Sequence, residues 1–153
     1  TMATLKISDL SVGDWVGVRC GTKINAFKVE EIRFNNIIHK YVALLNNKAY
    51  GLPTTELHPI PITAEILEKN GFFRCSDEFS IYEYTTLLGK ILRTTQVHLT
   101  TPQSINVFLH DTTIVRGYYH REKTSVHILR DEVYVHDIQH ALRLAGLDKE
   151  INL

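Results

Sequence analysis

The sequence predicts an α+β chain that is mostly β: an N-terminal SH3-like small barrel, a short linking helix, and a second antiparallel sheet closed by a C-terminal helix. Three observations predict this. Short runs of alternating apolar and polar residues, broken by Gly and Asn turns, fill the first fifty positions. A seam, Leu57-His58-Pro59-Ile60-Pro61-Ile62-Thr63, forces an extended path, and Thr63 then offers an N-cap. Near the end, Val135, Ile138, Leu142 and Ala145 recur at helical spacing.

The elements follow in order. Ser11-Val12-Gly13-Asp14 turns into a first strand, Trp15–Cys20, in which Val16, Val18 and Cys20 face inward and Trp15, Gly17 and Arg19 outward. Gly21-Thr22 turns the chain into a longer strand over 24–34, with Phe27, Val29 and Ile32 inward and a bulge at Glu30-Glu31. Asn35-Asn36 and Asn46-Asn47 suit tight turns, because Asn tolerates positive φ. They delimit strands over 37–45 and 48–52. So many short strands point to a small closed barrel, which removes exposed sheet edges. The Pro59/Pro61 segment covers its open side. A short helix follows Thr63 and stops at Gly71, with Ala64, Ile66, Leu67 and Phe72 on its packed side. Strands are expected at 79–84, 87–92, 96–100, 105–109, 114–120 and 125–129. The closing helix spans 133–145 and ends at Gly146. Residues 1–62 thus form the barrel subdomain and residues 63–153 the helix–sheet–helix subdomain.

Composition narrows the function classes. Lys plus Arg number 17 and Asp plus Glu 17, so formal net charge is zero. A general nucleic-acid coat needs a basic surplus, which makes nucleic acid an unfavoured partner. Cys20 and Cys75 form no metal-type pair and no disulfide framework. Reduced thiols, the lack of an apolar run of membrane length and the lack of a signal-peptide pattern point to the cytosol and to no membrane partner.

Three stretches together resemble a family of small uncharacterised proteins from Bacteroidetes genomes, their prophages and phages. Leu10-Ser11-Val12-Gly13-Asp14-Trp15-Val16 is similar to that family's opening L-x-I-G-N-x-V. Pro59-Ile60-Pro61-Ile62-Thr63 through Gly71-Phe72 is similar to its P-I-P-L-T-x-x-x-L-x-x-x-G-F, and Tyr134-Val135-His136-Asp137-Ile138-Gln139-His140 to its Y-V-H-x-L-Q-N. The resemblance does not extend over 74–130. It implies a phage or mobile-element origin and no particular activity. The family has Asn where this chain has His140, so a metal role for His140 is not implied.

The candidate chemistry lies outside the seam. If 114–120 is one strand, Arg116, Tyr118 and His120 share a face, and Arg130 on the next strand joins them. Arg offers a planar fork to phosphate or carboxylate and Tyr a stacking face for a base. Trp15 with Arg19, and His136 with Gln139 on the closing helix, complete the candidate ligand-binding set. His136 and His140 also stand at the i, i+4 spacing of zinc proteases. The general-base Glu is replaced by Asp137, and no third ligand is evident. The eight histidines are scattered in sequence. No phosphate loop or nucleophile elbow is present.

The reading is a non-enzymatic binding protein of phage type, without cofactor or metal. It captures a small anionic, nucleotide-like ligand or a host protein, which includes sequestering an immune signal as counter-defence. Such a pocket is often completed at a homo-oligomer interface. The alternatives are an SH3-like nucleic-acid-binding module and a metal-dependent hydrolase using His136 and His140.

Overall fold

A computed structural model describes residues 5–48, 51–76, 80–88, 91–100, 104–115, 118–129, 133–147 and 149–153. The chain is α+β and mostly β, with two five-stranded antiparallel sheets and a C-terminal helix. It divides into two units: Thr1–Pro61 with Tyr134–His136, and Ile62–Val133 with Asp137–Leu153.

In the first unit, β1 (Trp15–Cys20), β2 (Lys23–Asn35), β3 (Lys40–Leu45), β4 (Leu52–Pro53) and β5 (Leu57–His58) lie in the order β4-β3-β2-β1-β5. A 3-10 turn at Thr54–Glu56 joins β4 to β5. This strand order, with one long strand shared by two ladders, is the topology of an SH3-like barrel. The sharing depends on a bulge: β2 pairs with β1 up to Lys28 and with β3 from Val29, and the register shifts between Val29 and Glu31. An extra residue bends the strand and increases its twist, so one strand turns the corner of the barrel. Val16, Val18, Val29, Ala43, Leu45, Leu52 and Leu57 form the core, with Phe27 and Ile32 packed against it.

Three expectations for this unit are corrected. Cys20 is exposed, because β1 runs past the core at its hairpin end. The third strand starts at Lys40 rather than at residue 37. Asn35 Oδ1 accepts from the backbone N–H of Ile37 at 2.9 Å and of Ile38 at 3.3 Å. His39 adopts φ 51, so residues 36–39 form a longer turn and Ile37 is left 88% exposed. The fourth strand is Leu52–Pro53, paired with Val42 and Ala43, and Lys48 lies before it.

The second unit opens with α1 (Ala64–Lys69). Thr63 Oγ1 accepts from the Ile66 N–H at 3.2 Å, and Gly71, at φ 84, ends the turn that follows the helix. Leu67 and Phe72 are buried, whereas Ala64 is exposed. β6 (Phe73–Arg74), β7 (Ile81–Leu88), β8 (Ile91–Thr100), β9 (Ser104–Val115) and β10 (Tyr118–Leu129) form the sheet β10-β9-β8-β7-β6. The six short strands expected between 79 and 129 are therefore four long ones. Thr94-Thr95, Asp111-Thr112 and Arg121-Glu122-Lys123, read as separators, lie inside β8, β9 and β10. Threonine suits a pleated strand, and a sheet face that is not buried accepts polar residues. Asp111 stands opposite Arg93 and forms a two-pronged ion pair with it, at 2.8 and 2.9 Å.

α2 (Val135–Leu144) gives way to Gly146 at φ 85. Ile138, Ala141, Leu142 and Ala145 are buried, as their spacing predicts. Two amide side chains hold the C-terminal segment. Gln139 accepts from the Ile151 N–H at 2.7 Å and donates to the Lys149 carbonyl at 3.0 Å. Asn70 exchanges hydrogen bonds with the Asn152 backbone, both at 2.8 Å. No described helix is long and apolar enough to cross a membrane.

Candidate functional site

The expected pocket of Arg116, Tyr118, His120 and Arg130 rests on one strand over 114–120, and that strand does not exist. β9 ends at Val115, and Tyr118 stands opposite it as the first residue of β10. Arg116 and Arg130, and the side chains of Tyr118 and His120, lie outside the described residues. Tyr118 and Leu129 are the two ends of one strand. At about 3.3 Å per residue those two ends are separated by roughly 36 Å.

The other candidates are placed as follows. Trp15 is half-buried on the outer side of β1, with the Lys28 ammonium 5.8 Å from its ring centre, and Arg19 is exposed on the same side. His136 is buried and its ring stacks on Tyr134 at 5.9 Å. Gln139 is buried, with both ends of its amide engaged by the C-terminal segment. His140 is half-buried. Among the described residues no three His, Cys, Asp or Glu side chains gather as a metal ion would require.

A different set of residues comes together on the second sheet. Register fixes which residues share a face. Tyr82, Val97, Val107 and Val126 are directly opposite one another in turn, and Tyr82, Val97 and Val107 are buried. The alternate positions make up the other face, which stays half-buried or exposed. One row across it is His98, Asn106 and His127. The next is Glu83, Gln96, Phe108 and Ser125, and the third is Thr85, Thr94, His110 and Lys123. Two residues along a strand span about 6.8 Å, so the three rows cover roughly 14 Å.

Side chains from the outer rows lean towards Phe108. The His98 ring meets it edge-on at 4.8 Å between centroids. The Lys123 ammonium sits 4.8 Å from the ring centre. A cation over an aromatic face is attracted by the ring quadrupole. Lys123 is exposed and has no carboxylate partner among the described residues. A relay orients His98: its Nε2 donates to Gln96 Oε1 at 3.3 Å, and the Gln96 amide donates to Glu83 Oε2 at 3.1 Å. That tautomer leaves Nδ1 with a lone pair. His127 Nδ1 is hydrogen-bonded to Asn106 Oδ1.

Burial, with His110 and Lys123 close by, holds the His98 imidazole below its ordinary pKa. At neutral pH this face therefore carries the Lys123 ammonium and a neutral His98 imidazole. At its margin the Cys75 thiol contacts Glu83 Oε2 at 3.6 Å. Partial burial and then the Glu83 charge push that thiol up, away from the reactive thiolate. The arrangement suits holding an anion and offers no activated nucleophile.

Composition and spacing did not reveal this face, because 98, 110 and 127 are remote in sequence. Antiparallel pairing of four successive strands in register brings them together. Comparison with family models, curated proteins and solved structures returns no match.

Proposed function

We propose that this is a non-enzymatic binding protein that captures a small anionic, nucleotide-like ligand on the open face of its second sheet. One observation carries the reading: the Lys123 ammonium is held on the Phe108 ring, beside His98 and His110, with no carboxylate partner among the described residues. A cation with spare valence attracts an anion, and the imidazoles and the Gln96, Asn106 and Ser125 side chains around it add hydrogen-bonding groups. The phage-type sequence resemblance adds the expectation of sequestration in a host cytosol rather than turnover.

The test is calorimetric titration of the whole protein with a panel of mono- and dinucleotides, followed by recovery of the nucleotide after denaturation. At least one should bind and return intact. Lys123→Gln should weaken it by roughly tenfold or more, the effect of losing one charged hydrogen bond. No binding by any nucleotide, or a Lys123→Gln variant that binds as well as the parent, rejects the reading.

A further inference from the structure

We infer that this face selects ligands ending in a phosphate monoester dianion, and that His98 takes up a proton as such a ligand binds. The inference rests on the binding function proposed above and names its ligand class.

The groups facing His98 come from each neighbouring strand. β7 contributes Glu83, reached through Gln96, with Cys75 beside it. β9 contributes Asn106, Phe108 and His110, and β10 contributes Lys123 and His127. The relay to Glu83 fixes the proton on Nε2 and leaves Nδ1 as the basic nitrogen. Burial does most to keep His98 neutral, and the fields of His110 and Lys123 add to it. An anion beside Lys123 cancels those two fields and converts repulsion into attraction. A dianion does so more completely than a monoanion, because its second charge remains after Lys123 is matched. The bound pair is then Lys123 ammonium and His98 imidazolium against two negative charges. One proton moves from solvent to His98 Nδ1, and no bond in the ligand is made or broken.

The experiment compares 5′-AMP, a monoester, with 3′,5′-cyclic AMP, a diester with the same base and one charge. It is run by calorimetry on the full chain at about pH 7.5, where a monoester carries nearly two charges. Two buffers of different ionisation enthalpy report the protons taken up. AMP should bind roughly tenfold tighter than the cyclic nucleotide or better. It should also carry up to about one proton with it, and the cyclic nucleotide fewer. His98→Asn, checked for an unchanged melting temperature, should lose the uptake and most of the preference. His110→Asn should reduce the uptake and still bind. Equal affinities, or uptake that survives in His98→Asn, overturn the inference while leaving the binding reading in place. Binding of neither nucleotide also overturns the inference, and the binding reading falls with it only if the whole nucleotide panel fails.

Discussion

Strands β2 and β9 have nearly the same length, thirteen and twelve residues, and opposite fates. β2 breaks register between Val29 and Glu31, bends, and serves two ladders. Its inward residues Phe27, Val29 and Ile32 close on a core. β9 keeps register with both neighbours along its length. Ile105, Val107 and Leu109 are buried on one side, and Asn106, Phe108 and His110 stay accessible on the other. A single extra residue separates a sheet that wraps around itself from one that presents a face. The face that is left open is where Lys123 and the imidazoles stand.

Two variants break or sharpen this contrast. Deleting Glu30 has the largest expected effect. It removes the bulge while leaving Val29, Glu31 and Ile32 opposite Leu45, Leu44 and Ala43, so the strand loses the bend that lets it serve both ladders. The first unit should then lose its cooperative unfolding transition, seen as loss of the Trp15 near-ultraviolet signal. A native-like transition would show that the bulge does not shape the barrel. A smaller effect belongs to the straight sheet. Arg93 holds the Asp111 carboxyl below its usual range, first by hydrogen bonding and then by charge. A depressed carboxyl stabilises the fold above its unfolded pKa, and that contribution fades as pH falls through the folded value. Asp111→Asn should cost about 1 kcal/mol near neutrality and lose this part of the acid sensitivity below pH ~4. Urea unfolding across that range checks both, and an undiminished acid slope would remove the ion pair from the account.

Where local chemistry decides structure, the sequence was legible. Asn47 at positive φ, the Thr63 cap, the glycine stops after both helices and the bulge in β2 each follow from a few adjacent residues. The apolar spacing of α2 was equally plain. The second sheet was harder because residue types that elsewhere mark turns stand inside its strands on both faces: Thr94 and Lys123 on the open one, Thr95 and Asp111 on the side of Val97 and Val107. Polar pairs in β8 and β9 were therefore read as breaks, which cut four strands into six. The candidate site suffered more than the fold. His98, His110 and Lys123 become neighbours only through pairing across three strands, and no composition window contains that information. The residues chosen from parity within 114–120 depended on one continuous strand, whereas β9 ends at Val115 and β10 begins at Tyr118, opposite it. Gln139, chosen as a ligand group, is instead engaged with the chain's own C-terminal segment.

The central claim is that the anion goes to the open sheet and not to the barrel. Titrating the protein with AMP while following its histidine ring and tryptophan indole signals by NMR tests this most directly. The imidazole signals of His98 and His110 should shift together and saturate, and the Trp15 indole should stay in place. A Trp15 shift with His98 and His110 unmoved would put the ligand on the outer side of β1 and contradict the assignment.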